Sequence, residues 1–429
     1  MRPDHLAAIA GHAIRARWRW HRLGAERLAA FHDRRMAQIT AHAAAHAPFY
    51  REHWRGHDLA DWRSLPTVDK GLMMEHFSRF NTAGIDRDQA LELAMRAERE
   101  RDFAPTLGGL TVGLSSGTSG HRGLFLVSPA EQRAWAGTIL ARTIHDWRWR
   151  PLRVAFFLRA NSNLYEQVGG RIVRFRYFDL LAPLERSIDE LNGFQPDVLV
   201  GPPSLLELLG RELGGGLRIR PERLISVAEV LEPQDSQRLA ERFAAPVHQI
   251  YQCTEGFIAA SCRLGALHIQ EDVVALQCEP LAAVPARSTP IVTDLWRTTQ
   301  PIVRYRLNDV LTLAAEPCQC GSAFRVIASI EGRGDDLFEF PDAGGALRPI
   351  FPDLIRRIVL LASPDVRDYQ AIQDRPGQIE FRLTVRDQAD WDAVAQAVRH
   401  SLAATLAEHG CRAGEVAVSA GLLPAPPGA

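Results

Sequence analysis

Four short stretches carry residue types that could do chemistry. The first is Ser115-Ser116-Gly117-Thr118-Ser119-Gly120-His121-Arg122-Gly123. Glycines let a backbone approach a ligand closely, and hydroxyls and amides donate to phosphoryl oxygens, so the loop suits phosphate. It lacks the Gly-Lys-Ser/Thr ending of a Walker A loop, and an ordinary serine-rich hairpin fits the same letters. The second is YQCTEG, residues 251–256, at the end of an expected strand. Ligands of open α/β sheets bind beyond the carboxyl ends of strands. There Thr254 offers a hydroxyl to a phosphate and Glu255 a carboxylate to Mg²⁺; a solvated turn is the alternative. The third, residues 292–310, combines Asp294, Arg297, Arg304, Arg306 and Asp309, and an aspartate at a strand end can accept two ribose hydroxyls. The fourth is Glu331-Gly332-Arg333-Gly334-Asp335-Asp336.

A separate set is metal-like. Cys262 and His268 have five residues between them, and Cys318 and Cys320 follow in PCQCGS. Three cysteines and a histidine match a closed structural Zn²⁺ site, with a tighter C-x-C spacing than a zinc finger. Four protein ligands leave no open position, so such a zinc would be structural. Reduced thiols with an unrelated histidine are the other reading. His248 reads either as a functional histidine or as a structural one at a strand end. Tyr165, Phe156 and Phe157 are candidates for the wall of a ligand pocket.

The elements that must position these residues follow from periodicity. Residues 5–55 read as helices and residues 90–101 as a charged helix. Residues 107–128 read as strand, loop, strand, after which Ser128 caps a helix with Pro129 at its first position. From 150 to 260 strands alternate with helices: LRVAFFL, LERSIDELNGF, DVLVG, PPSLLELLGREL, LISVAEV, EPQDSQRLAERFA and VHQIYQ. That alternation implies βαβ units and a parallel sheet. Residues 265–315 read as short antiparallel strands, a sheet or a barrel. A Gly/Asp/Pro-rich stretch at 331–345 reads as a linker. A helix over 350–364, strands 369–374 and 378–385, and a long helix over 389–410 then make a small α+β unit. The tail 421–429 reads as disordered.

Composition bounds the functions. The chain has 429 residues with 46% hydrophobic and 24% charged, close to average for a globular protein. That excludes a disordered chain, a collagen and a coiled coil. Lys+Arg is 50 against Asp+Glu 51, a net charge of −1, so no basic excess marks a nucleic-acid binder. Six cysteines are too sparse for a disulfide scaffold; the cytoplasm is the expected compartment. The N-terminus has no continuous apolar core of a signal peptide, and no run is long enough for a membrane span. The Trp/Arg cluster from Arg15 to Arg22 reads as an amphipathic helix with its tryptophans inward, or as a contact with a membrane surface. Only Lys70 is a lysine; the other basic residues are arginine. Any mechanism that needs an ammonium has one candidate.

In order, these stretches resemble the adenylate-forming superfamily over nearly the whole chain, nearest the phenylacetate–CoA ligase and coenzyme F390 synthetase-related branch. SSGTSGHRG resembles its phosphate loop, YQCTEG its Tyr-Gly-x-Thr/Ser-Glu motif, TDLWRTTQPIVRYRLND its TDL…RYR-x-x-D stretch, EGRGDD its Gly-Arg-x-Asp-Asp hinge, and LPTVDK (65–70) its early Leu-Pro-x-x-x-Lys segment. The resemblance implies an α/β fold: a large adenylate-forming domain over 1–334, with a zinc-bearing β-rich part about 262–325, and a small mobile α+β domain over 335–429. It implies a ligase that uses ATP and Mg²⁺ to make acyl-AMP from a small carboxylate and passes the acyl group to CoA or an acyl carrier protein. Ser115, Ser116, Gly117, Thr118, Ser119 and Gly120 would hold the β- and γ-phosphates. Thr254 would meet the α-phosphate and Glu255 bind Mg²⁺. Asp309 would take the ribose hydroxyls, Ala228 and Glu229 the adenine segment, with Tyr251 beside them. Arg333 would approach the ribose or phosphate, and Asp335 would be the hinge. The same ligand order, Cys262, His268, Cys318 and Cys320, occurs in that branch. A homodimer is compatible with this reading.

One departure stands out. The superfamily's small domain normally ends with a lysine at the reacting carboxylate, and no lysine follows the hinge here. Either an arginine such as Arg412 substitutes, or adenylation is slow, or the second half-reaction is the main one. Amide, ester or nucleotidyl transfer, and a catalytically silent nucleotide-binding scaffold, are the competing functions.

Overall fold

The computed structural model describes residues 3–100, 102–115, 123–144, 150–158, 173–180, 182–281, 286–333, 338–350, 355, 358, 359, 362, 363, 365–386 and 390–421. The helical spacing of the N-terminus folds as α1 (Pro3–Arg22), α2 (Ala25–His46) and α3 (Pro48–His53). The Trp/Arg cluster divides its tryptophans. Trp20 turns inward against His268 and Phe324, at ring distances of 5.0 and 5.2 Å, whereas Trp18 is 58% exposed. Two residues advance a helix by about 200°, so neighbours at that spacing cannot share one face. The expectation of an inward tryptophan face therefore holds for Trp20 and fails for Trp18.

Short helices α4 (Lys70–Glu75) and α5 (Phe77–Phe80) and the charged α6 (Arg87–Glu100) follow. Strands β1 (Thr111–Leu114) and β2 (Leu124–Val127) pair antiparallel and present the glycine- and serine-rich loop. Gly113 faces Phe125 across this hairpin; a Cβ there would lie 2.2 Å from the ring, so glycine is what lets the ring cross the strand. α7 (Pro129–Thr143) starts on the anticipated cap: Ser128 Oγ accepts from the Glu131 amide, and Glu131 accepts from the Ser128 amide at 2.8 Å.

The alternating region builds a parallel sheet from β3 (Leu152–Leu158), β4 (Val173–Asp179), β5 (Val198–Gly201), β6 (Arg223–Ser226) and β7 (Val247–Cys253), in the order β4-β3-β5-β6-β7. Helices α8 (Leu184–Phe194), α9 (Pro203–Arg211) and α10 (Pro233–Phe243) belong with one face, packed with Ala155, Phe157, Leu199 and Leu224. β7 then pairs antiparallel with β8 (Gly256–Ser261), so the parallel half runs directly into an antiparallel half. That half holds β9 (Leu267–Ile269), β10 (Val274–Pro280), β11 (Arg287–Asp294), β12 (Tyr305–Arg306), β13 (Asp309–Leu313) and β14 (Val326–Arg333), giving one twelve-stranded sheet rather than a barrel. Its core is shared with α2 and α3. Tyr50, fully buried, donates to the Pro301 carbonyl at 2.8 Å and accepts from the Val303 amide at 3.2 Å.

The stretch read as a linker contains structure. β15 (Phe338–Pro341) and β16 (Leu347–Ile350) form a hairpin inside 331–350, and Gly345 at φ 85° suits its turn. β17 (Val366–Ile372), β18 (Gln378–Val385) and β19 (Glu415–Ala420) make a three-stranded sheet, with α11 (Trp391–Glu408) packed on it around Phe381, Val398 and Leu402. Residues 355, 358, 359 and 362 are helical, as expected for that segment. Asp335, Tyr165 and the tail from 422 lie outside the described residues, as do Ser116, Gly117, Thr118, Ser119 and Gly120.

Candidate functional site

A cavity of about 1660 Å³ opens where the two halves of the sheet meet. Its walls include Lys70, Ser115, Ala228, Glu229, Thr254, Glu255 and Asp309, which lie far apart in the chain. Each reaches the cavity for a local reason. Ser115 closes the base of the glycine- and serine-rich loop: its amide donates to the Gly123 carbonyl at 2.8 Å and its hydroxyl accepts from the Gly123 amide at 2.7 Å. Thr254 and Glu255 occupy the tight turn between β7 and β8, and the Thr254 hydroxyl donates to Glu255 at 2.9 Å. Buried Arg297 holds this turn by donating to the Thr254 carbonyl, while also donating to Gln300 at 2.8 Å and Leu126 at 3.1 Å. It thereby ties the β7–β8 turn to the phosphate-loop hairpin.

Asp309 begins β13, opposite Arg333 of β14. The Tyr251 hydroxyl donates to its carboxylate. Tyr251 is half-buried and does not line the cavity, so its hydroxyl orients Asp309 from behind. Burial, then the neighbouring Asp309 charge, push its phenol well above the usual range and keep it a donor. Of Arg333 only the backbone is described. Ala228 has φ 68°, the left-handed region that costs a non-glycine residue strain. β6 stops at Ser226, two residues before it, rather than running through LISVAEV. The turn sends Glu229 across to the start of α9, where it accepts from the Ser204 hydroxyl at 2.8 Å and amide at 3.2 Å.

Lys70 is the residue whose place the sequence left open. Asp69 caps α4 by accepting from the Leu72 amide at 2.9 Å. The preceding Val68 is strapped to β12 through the Arg304 carbonyl at 3.0 Å and the Arg306 amide at 2.7 Å. The side chain therefore ends beside Gly123, where β2 begins after the glycine- and serine-rich loop: a Cβ built on Gly123 would sit 3.4 Å from Lys70 Cε. The charge belongs to an early segment, far from the loop in sequence, marked by its being the one lysine of the chain and by the LPTVDK resemblance. Arg412, the alternative cation, is exposed; its amide donates to the Pro341 carbonyl at 3.0 Å, and it does not line the cavity.

The cavity's second half is apolar. β3 alternates, so Val154, Phe156 and Leu158 face it together with Val200, Ile225 and Val227. Phe157 points the other way, stacked 4.7 Å from Phe178 in the helix-covered core; the expectation that it lines a ligand pocket is corrected by that alternation. His248 is buried within β7, beside Ile225, and does not line the cavity. Cys253 does line it, but burial and the Glu255 charge push its thiol well up, which disfavours a nucleophilic thiolate.

No protein-family model matches the chain. Among curated proteins, protein CapK of Staphylococcus aureus is 25% identical over 225 residues, 51% of this chain and 49% of CapK. The match thus spans about half the length of that relative. A phenylacetate–coenzyme A ligase of Thermus thermophilus is 22% identical over 386 residues, 83% of this chain and 80% of the ligase. Among solved structures, 2-hydroxyisobutyryl-CoA ligase in its postadenylation state with 2-HIB-AMP superposes with a TM-score of 0.69 at 21% identity, covering 94% of this chain and 88% of that one. The chain has the adenylate-forming fold. An acetoacetyl-CoA synthetase from Streptomyces lividans shares it more distantly, at a TM-score of 0.51 and 14% identity over 72% of this chain and 51% of that one.

The four metal-like residues of this adenylate-forming fold also meet. Cys262 at the end of β8, His268 on β9, and Cys318 and Cys320 after β13 bring their ligand atoms within 4.8 Å of one another. Cys262 Sγ lies 3.9 Å from Cys318 Sγ, and Cys320 Sγ 3.4 Å from His268 Nε2. Tetrahedral zinc with bonds of about 2.3 Å to sulfur and 2.0–2.1 Å to nitrogen requires separations of about 3.8 and 3.6 Å. His268 Nδ1 is bonded to the Phe324 carbonyl at 2.8 Å, which leaves Nε2 facing the thiols. Amides of Leu264 and Cys320 approach Cys262 and Cys318 sulfurs at 3.4 and 3.5 Å, as suits thiolates. The donor set and spacing fit zinc.

Proposed function

We propose that the chain is an ATP-dependent ligase that activates a carboxylate as acyl-AMP and transfers the acyl group to a thiol, coenzyme A or a carrier protein. One observation carries the reading: Lys70, Ser115, Thr254, Glu255 and Asp309 converge on one cavity whose other half is apolar. In the first step a carboxylate oxygen attacks the α-phosphorus, an O–P bond forms, and the bond to the bridging oxygen breaks to release pyrophosphate. In the second a thiol sulfur attacks the acyl carbon, gives up its proton, and AMP leaves. Positioning and charge stabilisation supply the rate. Ser115 with Ser116, Gly117, Thr118, Ser119 and Gly120 would cradle the β- and γ-phosphates, with the Lys70 ammonium on the same oxygens. Thr254 would hold the α-phosphate, and Asp309, fixed by Tyr251, the ribose. Ala228 and Glu229 would border the adenine, with Arg333 and Asp335 at the hinge between 1–334 and 335–429.

Mg²⁺ fits this site. Glu255 is a cavity carboxylate in the turn between β7 and β8, with Asp309 and the Thr254 hydroxyl on the same wall. Glu255 would hold the ion, which supplies neutralisation of phosphoryl charge. Cys262, His268, Cys318 and Cys320 would hold a structural Zn²⁺ that pins β8, β9 and the loop after β13 next to the nucleotide turn. Lys70 gives the cavity a cation beside Thr254, Glu255 and Asp309, which favours an active ligase over a silent scaffold. No helix among the described residues is long and apolar enough to cross a membrane; we place the reaction in the cytoplasm.

The test is mass spectrometry of the protein incubated with Mg·ATP and a panel of aryl and aliphatic carboxylates. Acyl-AMP and AMP are expected; ATP binding without either product would return the chain to the scaffold reading. The zinc assignment has its own readout. Cys318→Ser lowers zinc content, measured by elemental analysis, and the melting temperature with it, because the metal closes loops of a sheet that depends on it. Undiminished zinc in that variant ends the four-ligand proposal.

A further inference from the structure

The outward face of α1 is unpartnered and apolar. Leu6, Ala10, Ile14 and Trp18 follow one another four residues apart, and the three large ones are 39%, 70% and 58% exposed. The opposite face is spent on packing: Ile9 and Ala16 are buried, and Trp20 covers His268. Close contact with α7 sets the helix in place, since a Cβ on Gly137 would lie 2.5 Å from the Ile9 carbonyl oxygen. The exposed stripe is therefore held on a rigid helix and is not a fraying end.

Charge around the stripe is one-sided. Pro3 to Arg35 holds seven arginines and three acidic residues, in a chain whose net charge is −1. Arg15, Arg22, Arg27 and Arg34 are exposed and make no ion pair among the described residues. Beside Trp18 a groove of about 540 Å³ is floored by Phe31 and Trp296 and edged by Arg27 and Arg34. Aromatic and aliphatic side chains on a helix edged by arginine match the polarity gradient of a lipid interface, with the apolar ones among the upper acyl chains and guanidiniums at phosphates. A protein partner would need acidic complementarity; a neutral apolar partner would leave the arginines unanswered.

We propose that α1 and the adjoining groove dock this protein on an anionic phospholipid surface, with Ile14 and Trp18 entering the interface and Arg15, Arg22, Arg27 and Arg34 on headgroup phosphates. Docking does not require the ligase reading. It has a consequence for it, because α1 also contributes His12, Arg15 and Arg19 to the wall of the large cavity. A docked helix sets the cavity beside the bilayer, where apolar carboxylic acids partition.

The experiment is flotation of the full chain with vesicles of phosphatidylcholine alone or mixed with phosphatidylglycerol. Binding to the mixed vesicles only is expected, weakening as salt rises. Combined Ile14→Glu and Trp18→Glu changes, both on exposed positions, should lower binding at least tenfold. Arg22→Ala should lower it by about fivefold, the value of one cation near such a surface. Failure to float with anionic vesicles, or equal flotation of wild type and the double variant, overturns the proposal. So does light scattering that shows a wild-type dimer, dissociated by the double variant, without any vesicle binding; the face would then belong to a second copy.

Discussion

Lys70→Ala should slow acyl-AMP formation by about 10²–10³-fold, the usual loss when one fixed electrostatic donor is removed from a phosphoryl or oxyanion site. The fold should not suffer. Lys70 is the first residue of α4, whose cap is the neighbouring Asp69, and alanine is at least as good a helix former. The side chain ends beside Gly123 and lines the cavity, so in the proposed reaction its charge would act on the nucleotide phosphates during adenylation. Lys70→Arg should recover only part of the rate, because a planar guanidinium does not occupy the place of a compact ammonium. The chain offers no second lysine to mask the effect. ATP–pyrophosphate exchange measures the first half-reaction. Transfer from pre-formed acyl-AMP to CoA measures the second, which should change much less. Unaltered exchange in Lys70→Ala would remove the ammonium from the mechanism, and an equal loss in both half-reactions would make it structural.

Glu255→Gln should lower Mg-dependent turnover by at least about 10²-fold, since a metal that neutralises phosphoryl charge contributes several kcal/mol and each 1.4 kcal/mol is about tenfold. Glutamine keeps the size of the side chain and can still accept from the Thr254 hydroxyl that now lies 2.9 Å from Glu255. What it loses is the negative charge. Raised Mg²⁺ should recover part of the rate if the defect is metal affinity. A melting temperature close to wild type separates this from damage to the β7–β8 turn, which Arg297 holds through the Thr254 carbonyl and not through Glu255. A fully active Glu255→Gln protein would end the metal role.

Much of this was legible in the residue order because it is local. The Ser128 cap with Pro129 depends on neighbours within one helical turn, and it formed as read. The strand and helix alternation from β3 to β7 depends on periodicity, and all of its elements are present. Thr254 and Glu255 fall between two strand-like runs, at the two-residue turn that joins β7 to β8. The zinc-like ligands were legible as residue types, though their meeting rests on β8 and β9 pairing and on the loop after β13 folding back.

By itself, then, the sequence determined the elements, the chemistry available at their ends and the adenylate-forming resemblance. It could not say which of two adjacent residues faces the cavity. Phe156 does and Phe157 does not, because strand phase is set by which face the helices cover. The tertiary structure also decided that Trp18 is exposed while Trp20 is packed, since burial around a helix depends on where α7 lies. It placed Tyr251 behind Asp309, and it folded residues 338–350, part of them read as linker, into a hairpin. Above all it carried Lys70 to Gly123 and the cavity through a strap on β12. Contacts between distant segments are created only when the sheet closes, and no local pattern encodes them.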